Sequence, residues 1–169
     1  MSEQSVVMRP AGGAGFASAA GVRVLFFAPF AVFVVHTLEE MPQFAAWVSQ
    51  HFAHMTTEKF AVSHIPLILL VLLCSWQASR PDARVGWVIM AVAFQWQFAV
   101  NAVFHLGTAA VFGDYSPGMV TAATVALPAT AWFFTRVRHE RFLSTRQLVL
   151  AVVIGTAIAA AAISVLWLG

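Results

Sequence analysis

The stretch His36-Thr37-Leu38-Glu39-Glu40 sets an imidazole three and four residues ahead of two carboxylates, a spacing that lets all three share one face of a helix. Gln97, Asn101 and His105 form a second stripe at i, i+4 and i+8, and His64 and Tyr115 lie on segments between and beyond. Donors of this kind suit two chemistries. In the first, His36, Glu40 (or Glu39), His64 and His105 ligate a divalent metal, zinc first and non-haem iron second. The spare glutamate, Asn101 and Tyr115 then orient the ligands or a bound water, and the cation activates that water or polarises a substrate oxygen. In the second there is no metal. One glutamate is the general acid and His36 or His105 the base, moving protons onto and off an alkene of a sterol- or isoprenoid-like lipid. Two neighbouring carboxylates in low dielectric do not both ionise readily, which leaves one proton donor. The catalytic candidates are therefore His36, Glu39, Glu40, Asn101, His105 and Tyr115. No nucleotide or flavin cofactor is expected.

These groups must be positioned by helices that cross a bilayer. Of the 169 residues, 60% are hydrophobic and 9% charged, and the mean hydropathy is +0.82. Such a chain reads as an all-α membrane bundle, and ionisable groups inside its spans are costly enough to be functional by default. A crossing needs about 20 apolar residues. Five stretches qualify, over 22–40, 60–78, 86–108, 118–134 and 147–168. The connection PQFAAWVSQHFAHM interleaves apolar and polar residues and reads as a short helix lying in the interface between spans one and two. Residues 1–21, rich in Gly, Ala and Ser, read as a flexible cytoplasmic tail, and 22–169 as a single membrane domain.

Five crossings also sort the cations. Arg9, Arg23, Arg80, Arg84, Arg136, Arg138, Arg141 and Arg146 fall on one side and only Lys59 on the other. The excess of Lys and Arg marks the cytoplasmic side, so the amino terminus is expected inside and the carboxyl terminus outside a bacterial inner membrane. The net charge of +2 thus reports orientation against lipid rather than nucleic-acid binding. With direction set, His36, Glu39, Glu40, His64, Asn101, His105 and Tyr115 gather in the outer half of the bilayer. Carboxylates at a helix C-terminus oppose the macrodipole, so a cation or a proton is expected to offset Glu39 and Glu40. Cys74, the single cysteine, excludes disulfides and cysteine zinc sites.

The same residues carry a family resemblance. His36–Glu40, Asn101-Ala102-Val103-Phe104-His105 and Tyr115-Ser116-Pro117-Gly118 resemble, in order, the HxxEE, NAxxH and YxPG motifs of the HXXEE-domain family of small membrane proteins. The resemblance implies an integral membrane protein with catalysis expected of it and no reaction attached. A looser likeness to the five-span sterol isomerases of the emopamil-binding family serves only as an analogy for chemistry.

Other features read as structural. His51 and His54 are taken as interfacial and uninvolved, and Trp47, Trp76, Trp87, Trp132 and Trp167 as belt residues. Phe94, Trp96, Phe98 and Phe104 either line a lipid-facing cavity or face lipid. Gly155-x3-Ala159 reads as close helix packing or as the contact of a homo-oligomer through the small-residue face of span five. The expected partner is a membrane lipid or lipophilic small molecule. A binding protein or transporter for a metal or proton is the non-enzymatic alternative, although the inner halves of the spans are almost unbroken apolar sequence.

Overall fold

The computed structural model describes residues 24–168, so the expected tail over 1–21 and the first residues of span one lie outside it. All regular structure among the described residues is helical. A 3-10 turn, Leu25–Phe27, leads into α1 (Ala28–Glu40), followed by α2 (Phe44–His51), α3 (Thr57–Ser79) and α4 (Val85–Phe112). Helix α5 is one continuous run made of Met119–Thr121, a π-helical turn Ala122–Ala126 and Leu127–His139. Helix α6 (Thr145–Ser164) ends in a 3-10 turn, Val165–Trp167.

Local chemistry sets these boundaries. Pro29 stands in the first turn of α1, where its missing N–H costs nothing. Thr56 caps α3 by accepting from the Lys59 amide, and Ser144 and Gln147 form a reciprocal capping box at the start of α6. Gly113, at φ 71°, terminates α4 in the left-handed conformation. The π-turn has a cause two residues downstream of it. Pro128 has no N–H for the Thr124 carbonyl and its ring presses on that turn, so the helix widens by one residue there.

Three helices are long and apolar enough to cross a membrane: Thr57–Ser79, Val85–Phe112 and Thr145–Trp167. A fourth arises if Leu25–Glu40 and Phe44–His51, bent by 71°, count as one broken span. The expectation of five crossings is therefore met for three or four by length and composition. The run over 119–139 is not among these, and α2 turns sharply from α1.

Helix α4 is the axis of the bundle. It is apolar almost all round, and α1, α3, α5 and α6 all pack on it. Gly155 of α6 sits so close to α4 that an added Cβ would meet the Ala93 carbonyl oxygen, and Ala151 and Ala159, one turn to either side, are buried with it. The small-residue face of span five thus packs within the chain. Three apolar clusters stack along the bundle. At one end Phe26, Ala78, Val88, Val137 and Leu143 meet, which places the starts of α1, α4 and α6 beside the ends of α3 and α5. Arg80, Arg84, Arg136, Arg138, Arg141 and Arg146 flank that end. The middle holds Val32, Phe33, Val71, Phe98 and Ala122, and the far end Phe44, Trp47, Val48, Phe60 and Leu166. Trp47 is therefore a core residue and not a belt residue: only 6% of it is exposed, because α2 folds back over the bundle.

Candidate functional site

Between the middle and far clusters, α1 and α4 turn polar side chains toward one another. His36 and Glu40 lie one helical turn apart on the buried face of α1, and His105 faces them from α4. The Nε2 atoms of His36 and His105 are 3.3 Å apart. Glu40 Oε1 lies 3.6 Å from the first and 3.2 Å from the second. All three residues are buried, His105 completely. The structure thus brings together three of the four residues read from the sequence as metal ligands. Among the described residues this is the group of three His, Cys, Asp or Glu side chains close enough to hold an ion.

The remaining ring nitrogens are held from behind. His36 Nδ1 lies 2.8 Å from Thr121 Oγ1, whose own proton goes to the Gly118 carbonyl. The threonine oxygen therefore accepts from Nδ1–H, which leaves His36 Nε2 as a lone pair turned toward Glu40 and His105. Asn101 donates its amide to that lone pair at 2.9 Å. His105 Nδ1 is 3.1 Å from Ser116 Oγ. A hydroxyl behind each imidazole fixes ring orientation in the manner of outer ligands at metal sites.

Gly118 closes the cluster from the side of α5. At φ 103° it adopts a conformation that side chains avoid. A Cβ there would stand 2.7 Å from His36 Cε1 and 2.9 Å from His105 Cε1. Glycine is demanded twice, by backbone and by space.

Glu39 does something different from Glu40. Its Oε1 accepts from the Tyr115 hydroxyl at 2.6 Å and from the amides of Gly118 and Val120, while Oε2 accepts from the Thr121 amide at 2.6 Å. The carboxylate of one helix end thus caps the beginning of α5, where unpaired N–H groups and the helix dipole favour a negative charge. For Glu39 the expected offsetting cation or proton is replaced by backbone amides. Tyr115, half-exposed, is pushed up to about 12 by its hydrogen bond to Glu39. It serves that cap and does not touch the imidazoles.

His64 stands apart from the trio. Its Nδ1 bonds to the Phe60 carbonyl of its own helix at 2.8 Å, and its ring lies against Phe60 and Phe33. It lines the same cavity as His36, Glu40 and Asn101, a space of about 460 Å³ that Phe94, Phe98 and Phe104 also border. Trp96 is not among its walls; its indole N–H goes to Thr156 of α6.

Several contributors carried no sequence signal of their own. Ser116 and Gly118 lay inside the YSPG motif without an evident partner, and Thr121 had none. His51 is not idle either. Its Nε2 lies 2.8 Å from Asp114 Oδ2, its ring stacks on Phe112 at 4.1 Å, and Asp114 also accepts from Trp47. The hydrogen bond from Trp47, then that from His51, holds the Asp114 carboxyl below its ordinary range. This pair pins α2 to the loop after α4.

The family model HXXEE, described as a protein of unknown function with HXXEE motif, matches residues 27–133. Neither the curated proteins nor the solved structures offer a match.

Proposed function

The chain belongs to the HXXEE family, and from its buried donor set we propose that it is an integral membrane enzyme that holds a divalent cation at His36, Glu40 and His105 and acts on a lipophilic molecule in the adjoining cavity. The observation that carries this is the triangle of donor atoms, with sides of 3.2, 3.3 and 3.6 Å. A tetrahedral zinc with bonds of about 2.0–2.1 Å separates its ligands by about 3.3–3.4 Å. Two imidazoles and one carboxylate, each braced from outside, match zinc first and iron second. Three protein ligands leave a position open, as catalytic sites do. A cation so held supplies Lewis acidity and an activated water.

The chain's own residues do the rest. Glu40 and His36 border the cavity while His105 stands behind them. Asn101, whose amide meets His36 Nε2 and which lines the cavity, would be free to meet a substrate oxygen were that lone pair given to the cation. Thr121 and Ser116 keep both rings aimed. His64 lines the cavity as a substrate contact rather than a ligand.

A metal-free reading has one observation in its favour. His36 and His105 face each other nitrogen to nitrogen, so a single proton can bridge them, with Glu40 3.2 Å from His105. That is a proton relay fit for an acid–base isomerase or cyclase of a sterol- or isoprenoid-like lipid. Metal analysis of detergent-purified protein separates the two. Near-stoichiometric zinc or iron, lost in His36→Ala and His105→Ala, is the expected result. A folded preparation that stays metal-free after zinc or iron is supplied overturns it and leaves the relay. Bound metal with no turnover of any lipid would leave the metal-binding or transport alternative.

We place this site in the outer half of a bacterial inner membrane, with five crossings and α2 in the interface. The arginines flanking one end of the bundle favour that end as cytoplasmic. Tags at the two termini should report opposite sides.

A further inference from the structure

The shape of the cavity carries a reading of the route and form of the reactant; it rests on the function proposed above. Helices α3 and α6 both pack on α4 but scarcely touch one another. Between them runs a slot whose floor is one stripe of α4: Phe94, Gln97, Phe98, Asn101 and Phe104. Its inner end is buried, at His36, Glu40 and Phe98. Its mouth is not. Ser63 and Leu67 of α3, and Ala161, Ala162 and Val165 on α6 and the turn after it, line the cavity and are exposed. Beside this mouth both helices show apolar flanks, with Val62, Leu69 and Val153 each more than half exposed.

The end of the slot nearest the bundle terminus is roofed. Phe44 of α2 is buried and lines the cavity. The Ala53 amide donates to the Leu166 carbonyl at 3.0 Å, and Phe52 packs edge-on against Trp167 at 4.8 Å. The segment after α2 is thereby fastened to the end of α6. The way left open is lateral. Ser63 and Leu67 lie six and ten residues from the start of α3, roughly 9 and 15 Å along it. In a hydrocarbon core about 30 Å thick that depth lies beneath the headgroups of one leaflet.

We propose that the reactant is a bilayer amphiphile with an oxygen-bearing head on a single slender chain, and that it enters sideways between α3 and α6. The chain lies along the α4 stripe, and the junction of head and chain reaches His36, Glu40 and Asn101. A fatty acyl compound and a prenyl alcohol share this chemistry.

The test is photolabelling in vesicles with a fatty acid and, separately, a prenyl alcohol, each carrying a mid-chain diazirine. Modified residues are mapped, and metal content is measured on the same samples. Adducts on Phe94, Phe98 and Phe104 are expected from at least one probe, and the probe that gives them tells acyl from isoprenoid. In Ala162→Trp and Leu67→Trp, which place an indole in the mouth, those adducts should fall about tenfold or more while metal content holds. Adducts confined to outward residues such as Leu69 and Val153 in the wild-type protein overturn lateral entry, whether or not the variants fold. Equal protection by an excess of a sterol overturns the slender-chain form. The outcomes separate from those of the parent reading. Loss of metal in His105→Ala with cavity adducts retained leaves the route standing, and a metal-replete protein without cavity adducts removes the route alone.

Discussion

Two adjacent glutamates with different tasks are the sharpest feature at the scale of residues. Consecutive positions on a helix point about 100° apart, so Glu40 faces His105 while Glu39 reaches the amides of α5. The pair therefore predicts opposite phenotypes. Glu40→Gln should lose bound metal and melt like the metal-free wild-type protein. Glu39→Gln should keep the metal yet lower stability by about 1 kcal/mol, its partial exposure holding the loss of a cap to the lower part of the usual range. Elemental analysis and thermal melts in detergent read both. Tyr115 offers a second check, since it is the one tyrosine of the chain. Its hydroxyl gives a hydrogen bond to Glu39 only while protonated, and its folded value of about 12 lies above the free value of about 10. The stabilisation is therefore complete below about pH 10 and is lost as pH rises through the folded value. Phenolate absorbance should titrate near 12 in the wild-type protein and move toward 10 in Glu39→Gln.

At the scale of elements, the long apolar stretches and the i, i+4 spacings made α3, α4, α6 and the pairs His36/Glu40 and Asn101/His105 legible, because hydropathy and helical period are written in the residues themselves. Rotation about each helix axis is not. Depth alone put His64 beside the trio, whereas the turn of α3 sets its ring against Phe60 and Phe33. The break after α1 was legible in PQFAAWVSQHFAHM, but the π-turn ahead of Pro128, the burial of Trp47 and the arrival of Thr121 behind His36 were hidden. Two glycines test the contacts between elements. Gly118→Ala should cost about 1–3 kcal/mol from its backbone conformation and should also reduce metal occupancy, because the added carbon displaces both imidazoles. Gly155→Leu should lower stability by a similar amount, about 1–3 kcal/mol, through overpacking against Ala93. Metal per folded chain should stay unchanged, since α6 supplies no ligand.

For the whole molecule, the contacts that build the site join residues far apart in the chain. His36 meets Asn101 across 65 positions and His105 across 69, and Glu39 meets the Thr121 amide across 82. Helix α1 thus holds an imidazole and two acids whose partners are all synthesised much later. This has a consequence for biogenesis. A nascent chain released after residue 112 would leave Glu39 without its docking amides and the α1 cluster open on one flank, the condition that membrane quality control removes. A stop codon placed after 112 should accordingly give a product of much shorter half-life than the full chain in a pulse-chase.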